Sequence, residues 1–247
     1  MRQDARSSQA RLHAAARTLF AQRGYEATSI SDITRAAGTS HSQFLKYYSG
    51  KEDLRREIIE EQWAELTKAV VLAMTSLPSP SGKLRLALNM LVNFLEQDPE
   101  FRAILLLEQT AVHEEGKVII SNQFREFIAV LDDIVGEMKT VGELKHGIDP
   151  HAVRSALMGS IEGMMRDQLL ASSEFPARYS VEQVRATVSF MIEAACDVQR
   201  PSSELRPTTP AEAAPGSEDD WIRYYLKLAD KVLVQSTFGG DARIKIL

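Results

Sequence analysis

Between Asp32 and Glu52 the chain carries no acidic residue, and within that span lie His41, Ser42, Gln43 and Lys46, followed by Tyr47 and Lys51. These side chains offer hydrogen-bond donors and acceptors without a carboxylate to repel phosphate. Such a set suits duplex DNA. Glutamine can pair bidentately with adenine and lysine can meet guanine in the major groove, while lysine and tyrosine suit backbone phosphate. Thr39 is expected to join the base-facing group, and the Thr28 hydroxyl to meet a phosphate beside the start of the next helix. Catalytic chemistry finds no comparable set. The five histidines (His13, His41, His113, His146, His151) form no HExxH pattern, and there is no GxSxG, phosphate-loop or dinucleotide fingerprint. His146, Asp149 and His151 sit close enough to share a metal in principle, but three polar residues in a solvated turn are the plainer reading, so no metal and no cofactor is expected. The chain is read as a binder, not an enzyme.

Local elements must present that row. Ser29, three residues before Asp32, marks a capping-box helix start, and Ile33, Ala36 and Ala37 follow at helical spacing. Gly38 permits a sharp turn. Ser40 caps a second helix expected over His41–Tyr48, with Phe44, Tyr47 and Tyr48 on its packed side and the polar row outward. Helix, glycine turn and polar-faced helix make a helix-turn-helix, whose second helix enters the major groove. A preceding helix over residues 8–23 buries Leu12, Ala15, Ala16, Leu19 and Phe20, with Arg2, Arg6 and Arg11 before or at its start.

These residues carry a resemblance. Ala14 to Leu54, through AAARTLF, RGYEATSISDI, AAGTS and YYSGKEDL, resembles the DNA-binding region of the TetR family of bacterial transcription regulators, ungapped over about forty residues. Leu45 stands where that family usually has tyrosine, which puts one phosphate contact in question. The resemblance implies a homodimer, a phosphate contact from Lys51, and a small-molecule site in the body behind the head. A homodimeric repressor released from a near-palindromic operator by a small apolar molecule is the function so implied.

The charge balance agrees. The 247 residues have a net charge of −5, but Met1–Lys51 holds eight basic and three acidic side chains, +5, leaving −10 for the rest. One cysteine, Cys196, excludes an internal disulfide framework. No apolar run approaches a bilayer span and the first residues are polar, so a cytoplasmic protein with no membrane partner is expected.

The rest of the chain reads as helices without a credible strand before Arg200, about nine in all, giving an all-α fold: a helix-turn-helix head over residues 8–54 (motif about 31–50) and a ligand-binding and dimerisation body over 55–200. Lys51–Leu77 forms one long helix with Leu54, Ile58, Trp63, Leu66, Val70 and Leu72 as its apolar positions. Trp63, Met90, Phe94, Gln109, His113, Phe124, Phe127, Met158, Glu162 and Met165 form the candidate pocket, an apolar set with a few orienting polar groups that rests mainly on the family analogy. Glu162 and Arg166 are spaced for an ion pair. Ala152, Ala156, Gly159 and Gly163 form a small-residue stripe that permits close helix approach, the candidate dimer interface. Residues 201–217, with four of the nine prolines, read as a linker, and 218–247 as a tail with an amphipathic helix over Trp221–Val234. A helical regulator that binds a protein through that tail helix is the alternative reading.

Overall fold

The computed structural model describes residues 2–75, 77–108, 121–171, 176 and 179–197. Among them run α1 (Arg2–Arg23), α2 (Ile30–Ala36), α3 (His41–Phe44), α4 (Lys51–Met74), α5 (Pro80–Gln97), α6 (Pro99–Glu108), α7 (Asn122–Thr140), α8 (Pro150–Leu170) and α9 (Val181–Ala195). No strand occurs among the described residues, and one antiparallel bridge joins Leu144 to Cys196. The fold is all-α, as the sequence implied.

The expected caps form. The Asp32 amide donates to Ser29 Oγ at 3.1 Å and the Ser29 amide donates back to the Asp32 carboxylate at 3.2 Å. Gly38 takes φ +61°, the left-handed value that lets α2 turn into α3. Ser40 Oγ accepts from the Gln43 amide at 3.2 Å and opens α3.

Two hydrophobic clusters organise the chain. The first gathers Leu12, Ala16 and Phe20 of α1, Ile33 of α2, Phe44 and Tyr48 of the α3 region, and Leu54 and Ile58 of α4. The second runs from Trp63, Leu66 and Val70 of α4 through α5, α7, α8 and α9. α4 therefore contributes its first turns to one core and its remainder to the other, as a shared rigid element should. The structure adds a second shared helix. α6 gives Ile104 to the first cluster and Phe101, Leu105 and Leu106 to the second. α7 lies along α4 and is capped from it, with the Glu60 carboxylate accepting from the Asn122 and Gln123 amides at 2.9 Å.

Several boundaries differ from expectation. α1 runs back to Arg2 instead of residue 8. α3 is helical only over His41–Phe44; beyond it the bonds tighten, Lys46 to Gln43 O at 3.3 Å and Tyr47 to Phe44 O at 2.9 Å, so His41–Tyr48 is one α-turn followed by a tighter turn. α4 ends at Met74, and Leu72, expected among its core residues, is half exposed because Val70 and Ala73 hold the inward face. Gln109, His113, the 201–217 linker and the 218–247 tail lie outside the described residues.

Candidate nucleic-acid interface

Phe44 and Tyr48 anchor α3 and its following turn in the first cluster, with ring centroids 5.4 Å apart. Tyr48 Oη donates to the Glu57 carboxylate at 3.2 Å, which fixes the turn against α4. That anchoring leaves His41, Ser42 and Lys46 exposed and Gln43 half-buried at the flank. Ser42 Oγ lies 2.9 Å from the capping Ser40 Oγ. Gln43 is bonded at both ends of its amide, Nε2 donating to Tyr47 Oη at 3.0 Å and Oε1 accepting from Lys46 Nζ at 3.2 Å. Thr39 stands at the same edge, half-buried. The outward face of α3 therefore holds the hydrogen-bonding row with no carboxylate in it.

Two expected phosphate contacts are placed otherwise. Thr28 is 1% exposed, and its hydroxyl donates toward Gly24 O at 2.9 Å and lies 3.3 Å from Leu19 O. It closes the α1–α2 turn instead of facing outward, because a buried hydroxyl takes the nearest carbonyl partners. Lys51 Nζ donates to Tyr25 O at 2.6 Å and sits 4.0 Å from the centre of the Tyr25 ring, with Arg55 4.2 Å away on the same ring. Burial, then a hydrogen bond to Glu52, push the Tyr25 phenol well above its usual range, so it stays protonated. Lys51 thus pins α4 to the α1–α2 turn. Tyr47, expected at phosphate, is also a partner of Gln43.

The sequence reading noted Leu45 but missed two links between head and body. Leu45 is 52% exposed on the polar side of the turn. Arg17 of α1 forms an ion pair with Asp98, whose carboxylate also accepts from the Phe101 amide at 2.8 Å and so caps α6. His13 of α1 pairs with Glu61 of α4 at 3.0 Å beside it. These links join the head to the body across a sequence separation that no local pattern signals.

In the body, Trp63 packs on Phe124 and Phe127 with centroids 4.8 and 5.2 Å apart, and Phe101 meets both Trp63 and Phe94 edge-on. Met90, Met158 and Met165 are buried in the same core. Glu162 projects from α8, where burial raises its carboxyl above the usual range and Arg166 only partly offsets the effect. Arg166 reaches α6, its Nε donating to Leu106 O at 3.1 Å. On the other side of α8, Ala152, Ala156 and Gly159 are exposed and Gly163 half-exposed, beside an α9 whose Phe190 is 69% exposed.

With this geometry in place, comparison with known proteins is informative. Residues 12–58 match the model of bacterial regulatory proteins of the tetR family, and residues 59–191 match the C-terminal region of YsiA-like proteins, which alone spans more than half the chain. The chain is 24% identical over 148 residues to the fatty acid metabolism regulator protein of Bacillus subtilis, covering 60% of this chain and 76% of that one. Its fold is similar to the fatty acid degradation regulator FadR of Bacillus halodurans, with TM-score 0.67, 19% identity and coverage of 75% and 94%. It is equally similar to FadR of Bacillus subtilis solved with stearoyl-CoA, with TM-score 0.67, 20% identity and coverage of 75% and 97%. Head and body both matched, the chain belongs to the tetR family of bacterial regulatory proteins, DNA-binding regulators of transcription.

Proposed function

We propose that this regulator is a homodimeric repressor whose effector is a long-chain acyl-coenzyme A thioester. Residues 8–54 serve as the reading head and 55–200 as the ligand-binding and dimerisation body. Two heads insert α3 into successive major grooves about 10 base pairs or a multiple apart. His41, Ser42, Gln43, Lys46 and Thr39 face base edges, with Tyr47 behind Gln43. It acts by binding and release, in the cytoplasm where its operator lies.

The observation that carries the reading is the outward polar row of α3, mounted on a head core that α4 and α6 share with the body core. The acyl assignment rests on two supports. One is the likeness to a fatty acid metabolism regulator and to a fold solved with stearoyl-CoA. The other is the body core itself, a methionine- and aromatic-rich interior around Trp63 with Glu162 and Arg166 as its polar neighbours. A chain that enters this core displaces rings that touch α6, and α6 carries Ile104 in the head. Weakening DNA binding a thousandfold requires the effector to favour the non-binding state by roughly 4 kcal/mol.

Fluorescence anisotropy tests this. Full-length protein is titrated onto duplex DNA from immediately upstream of its own gene and onto scrambled duplex, at two salt concentrations, with stearoyl-CoA, acetyl-CoA or free coenzyme A. Preference for the upstream duplex that survives the higher salt, and release by stearoyl-CoA alone, is expected. Release by none of the three rejects the acyl-CoA reading while leaving sequence preference to stand or fall separately.

A further inference from the structure

Gln43 is the side chain of the polar row best suited to read a base, yet an exposed glutamine ordinarily samples many rotamers and both amide orientations. Here each end of its amide has a side-chain partner. Lys46 Nζ is a donor only, so the amide atom 3.2 Å from it must be the oxygen. The nitrogen therefore faces Tyr47 Oη at 3.0 Å, and the amide cannot flip without setting Lys46 against an NH2 group. Tyr47 is itself held, half-buried, with its ring centroid 6.3 Å from that of the fully buried Tyr48. The brace thus runs from the head core through Tyr48 and Tyr47 to Gln43. By count, Nε2 keeps one hydrogen and Oε1 keeps one lone pair, the pair of sites that bidentate recognition of adenine uses.

We propose that Tyr47 is a positioning residue for base readout: its hydroxyl presets the Gln43 amide, with Lys46 fixing the orientation, so the three side chains act as one reading unit. The inference rests on α3 being the DNA-reading element. Ordering the amide before encounter removes part of the entropy that binding would otherwise cost. It also gives the Tyr47 hydroxyl a partner within the protomer. The tight turn after α3 brings Tyr47 back to Gln43, four residues earlier, within hydrogen-bond reach.

A double-mutant cycle tests it. The probe is a duplex selected by the wild-type full-length chain from a random-sequence pool, with random duplex as the reference. Tyr47→Phe keeps the ring against Tyr48 and removes only the hydroxyl, and a thermal melt checks the fold. In the wild-type background it is expected to weaken selected-duplex binding roughly fivefold while leaving random-duplex binding unchanged. In the Gln43→Ala background the same substitution is expected to cost nothing. Reselection with Tyr47→Phe should relax the same base-pair position that Gln43→Ala relaxes. Equal losses from Tyr47→Phe in both backgrounds overturn the proposal, since Tyr47 would then act on DNA directly, and so does no loss in either. If Gln43→Ala itself weakens selected and random duplexes alike, base reading by Gln43 fails as well, an outcome distinct from an additive cycle.

Discussion

Lys51, expected at phosphate, already has partners within the protomer. Its ammonium is spent on Tyr25 O and on the Tyr25 ring, so it secures α4 to the α1–α2 turn. Lys51→Ala is expected to lower stability by about 2–3 kcal/mol, the worth of one hydrogen bond from a charged group with its ring contact. The slope of DNA affinity against salt should not change. Urea unfolding and anisotropy at several salt concentrations check both, and a slope reduced by about one unit would return Lys51 to the phosphate backbone. Glu162 offers a second test. Burial holds its carboxyl above the usual range, with Arg166 opposing. The folded state then binds the proton more tightly than the unfolded state, so ionisation costs stability at neutral pH, and that cost vanishes as the pH falls through the raised value. Glu162→Gln should therefore raise the melting temperature at neutral pH, with the gain shrinking in acid. A gain that is constant with pH would show that shape, not charge, is responsible.

At the scale of elements, α6 and its cap decide how head and body communicate. Asp98 ends α5, accepts the Phe101 amide that opens α6, and pairs with Arg17 of α1. The two side chains are only 14% and 17% exposed, so solvent screens the pair little. Asp98→Asn keeps much of the cap but removes the charge. It is expected to cost about 1–3 kcal/mol and to reduce the ability of any effector to release DNA, because α6 would move without drawing α1. Chemical denaturation reads the first effect, and anisotropy with and without stearoyl-CoA the second; undiminished release would mean that α4 alone transmits. The start of α4 has its own anchor. Gly50 supplies no side-chain cap, and Asp53 replaces it by accepting from the Ser49 amide at 3.0 Å and its hydroxyl at 3.2 Å. Those bonds, the amide first, hold the Asp53 carboxyl below the usual range. Its contribution is present above the unfolded value and lost as the pH falls through the depressed one. Asp53→Ala should therefore narrow the stability difference between neutral and acid solution, as thermal melts across that range would show.

At the scale of the whole molecule, α8 separates its two kinds of residue cleanly. Leu157, Met158, Ile161 and Met165 face the core, while Ala152, Ala156 and Gly159 face out. Among the described residues, a Cβ placed on Gly159 or Gly163 meets nothing within 4 Å beyond the helix's own backbone. No described neighbour therefore requires glycine there; a close partner helix would. Gly159→Leu is expected to leave the protomer folded, even to stabilise it by up to about 1 kcal/mol through helix propensity. It should also abolish the dimer and with it most of the operator affinity, since one head then binds without the other. Light scattering beside a thermal melt distinguishes this from misfolding, and an intact dimer would move the interface elsewhere.

How much of this was legible beforehand follows from the range of the interactions involved. The caps at Ser29 and Ser40, the turn at Gly38, the polar row of α3, and the apolar spacing of α4 and α8 are set by residues within a turn or two of one another, so sequence determined them. The pairing of Arg17 with Asp98, 81 residues apart, has no local signature, and neither does the placement of Ile104 in the head core. The partners that Thr28 and Lys51 take in the protomer were hidden for the same reason. Both have the chemistry of phosphate binders, but whether a hydroxyl or ammonium faces DNA or a nearby carbonyl depends on where α1 and the Tyr25 ring come to rest. Gln43, Lys46 and Tyr47 lie between these cases: their three- and four-residue spacing was visible, but only the packing of Tyr47 beside the buried Tyr48 turned neighbours into a brace. The sequence by itself determined the elements, the caps at Ser29 and Ser40 and the chemistry of the reading face. The tertiary structure decided which polar groups remain outward, because a group brought beside a carbonyl, as Thr28 and Lys51 are, bonds within the fold.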